Sequence, residues 1–380
     1  MATQVYFDNA ATTPLRDEVV QCMADVMKFH FGNASSSHSY GRSSKALIEQ
    51  SRKTIASCLN CSDSEIIFTS GGTEANNLVL QSAVRDLGVT EIITSGIEHH
   101  AVLRTVKALE MAFGVKVSYL NLDKQGNVDI AHLETLLQSP KKKLVSLMHI
   151  NNEIGNILDI DRVALLCKAH DTLFHSDAVQ SVGHYSIDLQ KTPVDFIVAS
   201  AHKFHGPKGA GFVFVRKNSG IKASVHGGDQ ERGLRAGTQA THDIVGMGEA
   251  LKIACANMES ERCYIEDLKQ YFINALKDAF PGIAFNGACT DPENGAYTLL
   301  NVCFPMAPEK ASLLQFQLDL KGVAASRGSA CQSGSNKTSH VLTEILDAEF
   351  LKRPSVRFSL SRFNTKEEVD YVVEVLRAFA

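Results

Sequence analysis

Short apolar runs alternate along much of this chain with longer stretches whose hydrophobic positions recur at helical spacing. The runs place strands at 66–70, 91–95, 116–120, 144–150, 173–177, 195–200 and 211–215, and the longer stretches place helices at 43–59, 73–87, 99–112 and 159–170. Several of these strands are apolar at nearly every position, the mark of a strand covered on both faces. Strand and helix in alternation predict an α/β fold with a large, mostly parallel sheet and helices on either side. A long helical stretch from 244 to 279 then leads into a different pattern. There, short strands at 298–304 and 355–360 mix with helices at 309–320 and 365–379, which predicts a smaller α+β domain.

Chemistry-bearing residues cluster where those strands end, the edge at which α/β sheets bind ligands. The run Asp195–Ala199 is followed by Ser200-Ala-His-Lys203-Phe-His-Gly-Pro-Lys-Gly209. A lysine held at such an edge sheds its proton through desolvation and becomes a Schiff-base nucleophile. The preceding strand ends in Asp177. A buried carboxylate beneath a pyridine nitrogen, with a lysine beside it, is the pairing that pyridoxal phosphate requires. His99, after the strand at 91–95, is a candidate flat partner for the ring. Gly71-Gly72-Thr73 stands between a strand and a helix start, where backbone N–H groups bind phosphate. Asn152 and Gln180 also follow strands: each is a candidate hydrogen-bond partner of the cofactor's phenolic oxygen, or a local turn or helix cap.

Composition narrows the setting. A chain of 380 residues exceeds one small core and suggests two domains. A net charge of −4 gives no footprint for nucleic acid, no apolar run is long enough to span a membrane, and no secretory leader is visible. A cytoplasmic protein is expected. The nine cysteines are irregularly spaced, so disulfides are not expected. Cys58-Leu-Asn-Cys61 has no second ligand pair, so packing is preferred to a metal site and no metal is assigned. Cys167, Cys255 and Cys263 fall in helical patterns and read as small core residues. Cys331 differs, lying among glycines and serines with no apolar periodicity, with Arg327 and Lys337 near in sequence to favour its thiolate.

Taken in order, these segments resemble the cysteine desulfurase family, pyridoxal-phosphate enzymes of the class-V aminotransferase superfamily. The resemblance runs from Phe7-Asp-Asn-Ala-Ala-Thr-Thr-Pro14 and Phe31-Gly-Asn33-Ala34-Ser35-Ser-Ser-His38, through Thr69–Asn77 and Met148–Gly155, to the Lys203 segment. It continues in His226–Thr238, Ser329-Ala-Cys331 and Val356-Arg357-Phe-Ser359. Ala34 stands where the family usually has proline, and Gln332–Thr338 departs from the usual residues after the cysteine, which leaves the partner preference of that loop open. The chain ends directly after a helical run, so a scaffold-docking tail is expected to be short.

The resemblance implies the aspartate-aminotransferase-like fold (fold type I). It divides the chain into a large domain at 13–256 and a small one made of 1–12 with 257–380, which carries the cysteine loop at about 322–340. It implies that L-cysteine yields L-alanine and a persulfide on Cys331, with Lys203 and His99 as the other catalytic residues. Gly72, Thr73, His99, Asn152, Asp177, Gln180, Ser200, His202 and Lys203 would bind the cofactor. Thr238 would reach the phosphate of the neighbouring subunit in a homodimer, and Asn33, Asn152 and Arg357 would bind the substrate. The sulfur would pass to an acceptor or scaffold protein for iron–sulfur cluster assembly or to tRNA thiolation. A selenocysteine lyase, or another lyase on the same scaffold, remains the alternative.

Overall fold

The computed structural model describes residues 3–327 and 339–379. Its largest sheet follows from period-2 side-chain alternation in strands covered on both faces. Ile66, Phe68, Ile197, Ala199, Phe212 and Phe214 pack in one apolar core, while Ile67, Phe196, Val198, Val213 and Val215 pack in another across the sheet. Helices Ser39–Cys58 and Ile160–Ala169 contribute to the first core, and Gly72–Arg85 with His100–Phe113 to the second.

Seven strands form this sheet in the spatial order Ile66–Thr69, Gly211–Val215, Phe196–Ser200, Leu173–Asp177, Lys143–Ser146, Glu91–Thr94 and Lys116–Tyr119. Gly211–Val215 runs antiparallel to both neighbours and every other pairing is parallel. The ends carrying Asp177, Ser200 and Thr69 therefore meet along one edge, together with the start of the reversed strand. That start must be glycine, because a Cβ on Gly211 would lie 2.6 Å from the Gly71 Cα.

A third core gathers Val5, Phe7, Phe272, Phe304, Phe358 and Leu376 around a three-stranded antiparallel sheet of Ser355–Ser359, Leu299–Cys303 and Ala284–Phe285. The N-terminal strand Val5–Tyr6 pairs in parallel with Val323–Ala324 beside it. Helix Thr241–Ala279 joins the two parts. Its Met247, Leu251 and Ala254 enter the large core, and its Ile265, Leu268 and Phe272 the smaller one.

Three expectations need correction. The strand placed at 144–150 ends at Ser146. Past that point the Met148 amide turns away to donate to the Glu98 carboxylate, 3.1 Å distant. The helix placed at 43–59 begins at Ser39, where the His38 side chain accepts from the Gly41 amide and caps it. Cys263 is exposed, since it lies off the buried stripe of its helix between Ala254 and Ile265. Cys58, in contrast, does pack against the large core, as does Cys255. No described helix is long and apolar enough to cross a membrane.

Candidate active site

A cleft of about 180 Å³ opens at the edge where the strands end. Gly72, Thr73, His99, Asn152 and Asp177 line it from the large sheet. Gln180, Ser200, His202 and Lys203 continue that wall, and Arg357 enters from the smaller core. Ten residues picked out in the sequence thus face one cavity. Asn33 and Thr238 do not line it within one chain. The Asn33 carboxamide oxygen accepts from the Ser35 amide at 2.9 Å, and Thr238 is exposed. Cys331 lies outside the described residues.

Each side chain is placed by its element. Asp177 closes a strand buried at its last four positions and is itself 6% exposed. Its Oδ2 accepts from Asn76 Nδ2 at 2.7 Å and its Oδ1 from the Val179 amide at 3.1 Å. Those donors fix its direction. Asn76 sits one turn into the helix that starts at Gly72. That helix begins with no side-chain cap, so its first N–H groups are left for an acceptor in the cleft. A Cβ at Gly72 would approach Val179 Cγ2 to 2.8 Å, so glycine keeps this entrance open. Glu74 in the first turn and Arg85 in the last suit the helix dipole.

Lys203 stands in the short 3₁₀ turn after Ser200. Its Nζ donates to the carbonyl oxygens of Ala10 at 2.5 Å and Ala11 at 2.8 Å. Gln180 Nε2 donates to the same Ala10 oxygen at 3.0 Å, and Thr13 Oγ1 to the His202 carbonyl at 3.0 Å. The segment from Ala10 to Thr13 is therefore laid across the lysine. His202 is held near pH 4, first by burial and then by the positive charges of Lys203 and Lys208, so its ring is neutral at pH 7. His99 ends the approach to helix His100–Phe113 as its N-cap. Its Nδ1 accepts from the Ala101 amide at 3.1 Å, which puts the proton of a neutral ring on Nε2.

Some contributors escaped the sequence reading. Asn76 is inside a quoted motif and lies four residues from Gly72, the spacing that stacks side chains on one helix face. The Ala10 and Ala11 carbonyls act through the backbone and leave no side-chain signal. Glu98 is buried, with Oε1 accepting from Ser95 Oγ at 2.8 Å and Oε2 without a partner among the described residues. Burial pushes its carboxyl up to about 8, so it is protonated at neutral pH. Charged residues beside a histidine usually read as solvated, and only the packing shows otherwise.

These residues fit pyridoxal phosphate. A buried carboxylate with a fixed direction, an amine across the cleft, an uncapped helix start kept open by glycine and a ring at the wall are the donor set that the cofactor needs.

The sequence profile of the family Aminotransferase class-V matches residues 5–372. Cysteine desulfurase IscS of Dictyoglomus turgidum is 41% identical over 99% of this chain and 94% of its own length. The protein of the same name from Vibrio vulnificus is 41% identical over 99% of this chain and 93% of its own. Among solved structures, one described as a NifS-like protein superposes with a TM-score of 0.90 at 36% identity, covering 99% of both chains. Another, SspA in complex with cysteine, gives 0.82 at 33% identity over 95% of this chain and 100% of its own. Likeness over almost the whole length, in a chain of the type I fold with this edge-of-sheet cleft, places the protein in the cysteine desulfurase family of class-V aminotransferases.

Proposed function

We propose that the protein takes sulfur from L-cysteine, leaving L-alanine and a persulfide on Cys331, with pyridoxal phosphate as cofactor. The observation that carries this reading is the convergence of Asp177, Lys203, His99 and Arg357 on one cleft. The cofactor, when bound, supplies an electron sink for bond breaking at the substrate Cα and Cβ. Asp177 would keep the ring nitrogen protonated, and Asn76 keeps Asp177 aimed. Gly72, Thr73, Ser200 and His202 would hold the phosphate end, and Asn152 and Gln180 the phenolic side. Lys203 Nζ would hold the cofactor and, as a general base, would move the proton at substrate Cα. His99, with its Nδ1 engaged by the Ala101 amide, would lie against the cofactor ring and orient the substrate thiol through its Nε2–H. Arg357 binds the substrate carboxylate through paired N–H donors. The Cys331 thiolate attacks the substrate sulfur: an S–S bond forms, the C–S bond breaks, and its electron pair stays with the carbon, which takes up a proton to become the alanine methyl group.

The chain divides, in this reading, into the large unit 13–256 that holds the cofactor and a smaller unit of 1–12 with 257–380 that supplies Arg357 and Cys331. Asn33 and Thr238 act at the site of a neighbouring copy in a homodimer. Support comes from their position outside the cleft of their own chain, and from Phe31, 71% exposed and stacked on Tyr40 beside Asn33. The onward sulfur acceptor is a protein of iron–sulfur assembly or of tRNA thiolation.

Cys331→Ala decides the chemistry. The variant is expected to bind cofactor and L-cysteine as the wild type does and to lose alanine production. Alanine formed at the wild-type rate would overturn the assignment. Light scattering tests the assembly, where a fully active monomer would contradict the shared site.

A further inference from the structure

The N-terminal segment Phe7–Pro14 stands out in the sequence, and its Asp8 has no part in the chemistry above. Asp8 belongs to the stretch that crosses from the small core to Lys203. Its Oδ1 accepts from Arg357 Nη2 at 2.8 Å and from Ser326 Oγ at 2.9 Å. Ser326 and Arg357 also pair through their backbones, with Ser326 N to Arg357 O at 3.2 Å and Arg357 N to Ser326 O at 2.6 Å. Three segments distant in the chain thus close a triangle around one guanidinium.

Arg357 is 1% exposed, and its Nη1 donates to the Asn152 carbonyl at 2.8 Å. A guanidinium has five N–H donors, two on each terminal nitrogen. The bonds to Asp8 and Asn152 use one on each and leave a second on each, on a side chain that lines the cleft. With both terminal nitrogens held, the plane of the group is fixed.

We propose that Asp8 is a positioning residue for substrate recognition: it holds Arg357 in the orientation in which paired N–H groups meet the substrate carboxylate. The proposal rests on the reading of Arg357 as the carboxylate ligand. Asp8 acts through Arg357 and does not touch the substrate.

Two effects of opposite sign are at issue. As an anion beside Arg357, Asp8 weakens the attraction for a second carboxylate. As an anchor, it keeps a buried cation compensated and aimed. Burial decides between them: a guanidinium out of water loses more from the removal of a 2.8 Å charge-assisted partner than it gains from reduced competition. Ser326 strengthens the anchor, because the Asp8 carboxylate cannot rotate away from Arg357 without breaking a second bond.

The test uses the holoenzyme and two probes read by the visible absorbance of the bound cofactor. L-serine carries the amino and carboxylate groups without sulfur, and cysteamine carries amine and sulfur without the carboxylate. Asp8→Asn is expected to raise the L-serine Kd about tenfold, the loss typical of a hydrogen bond to a charged group, and to leave cysteamine unchanged. Ser326→Ala, which keeps the ion pair and removes one of its supports, is expected to shift L-serine in the same direction by about two- to threefold. Tighter L-serine binding by Asp8→Asn would make Asp8 a mere competitor and overturn the proposal. Equal weakening of both probes, or no change in either, would overturn it too. If Asp8→Asn does not fold, Ser326→Ala decides by the same ratio. A wild type that binds L-serine but makes no alanine from L-cysteine would sink the desulfurase reading alone, leaving the ratio to judge Asp8.

Discussion

Lys203 and Arg357 face the same cleft from two differently built walls. The wall of Asp177 and Ser200 rises directly from strand ends, each placed by a ladder of backbone bonds and a covered apolar strand, and Lys203 follows in the short turn after Ser200. The opposite wall is assembled from segments far apart in the chain. Arg357 is fixed by Asp8, Asn152 and Ser326, and the Ala10 and Ala11 carbonyls reach across to the lysine. The first wall suits chemistry that needs an unmoving reference, such as a charge under a ring. The second suits recognition, since it brings segments of both cores to the cleft. Substitutions in the first are therefore expected to act on kcat, and substitutions in the second on KM.

Lys203→Ala should have the largest effect. Alanine formation is expected to fall by about a thousandfold or more, within the range lost with a general base. Borohydride, which should fix the cofactor on Lys203 in the wild type, should leave no label on that peptide in the variant; label on Lys208 in the wild type would displace the assignment. Asp177→Asn comes next, with a loss of about a hundredfold in kcat, while Asn76→Ala, which removes only its support, should cost about tenfold. Steady-state kinetics checks both, and a rise in KM alone would break the contrast between the walls. Arg357→Lys is expected to raise KM for L-cysteine about tenfold at nearly constant kcat, because a lysine cannot supply two parallel donors.

The first wall was largely legible in the sequence and the second was not, for a physical reason. A buried strand announces itself as an apolar run, so the residue just past it can be assigned to the sheet edge without knowing its partners. Asp177, Lys203 and His99 were found that way. Asp8 and the Ala10 carbonyl act through contacts fixed only when distant segments meet, and neither composition nor spacing records such a meeting. The overlong strand at 144–150 shows the same limit. Its apolar residues continue past Ser146, but the Met148 amide is taken by Glu98, which no local pattern foretells.

Glu98 gives the smallest effect and separates packing from chemistry beneath the first wall. Its carboxyl titrates near 8 in the fold, raised by burial from an ordinary 4.5. The folded state therefore holds a proton that the unfolded chain gives up, so the stability it contributes is lost as pH rises above about 4.5, and the loss levels off above 8. Glu98→Gln keeps an acceptor for Ser95 and Met148 without a titrating group. Its stability relative to the wild type should grow by about 1.4 kcal/mol between pH 7 and pH 9, measured by denaturant unfolding. A constant difference across that range would show that Glu98 is already ionised at neutral pH.

In the proposed reaction, sulfur leaves L-cysteine for a cysteine of this chain. A single turnover of the holoenzyme with sulfur-labelled L-cysteine, without reductant, followed by peptide mapping, tests it most directly. The account predicts one alanine for each sulfur retained, with the label on the peptide that contains Cys331. Sulfur released as sulfide in that first turnover, or label on the exposed Cys263 instead, would contradict it.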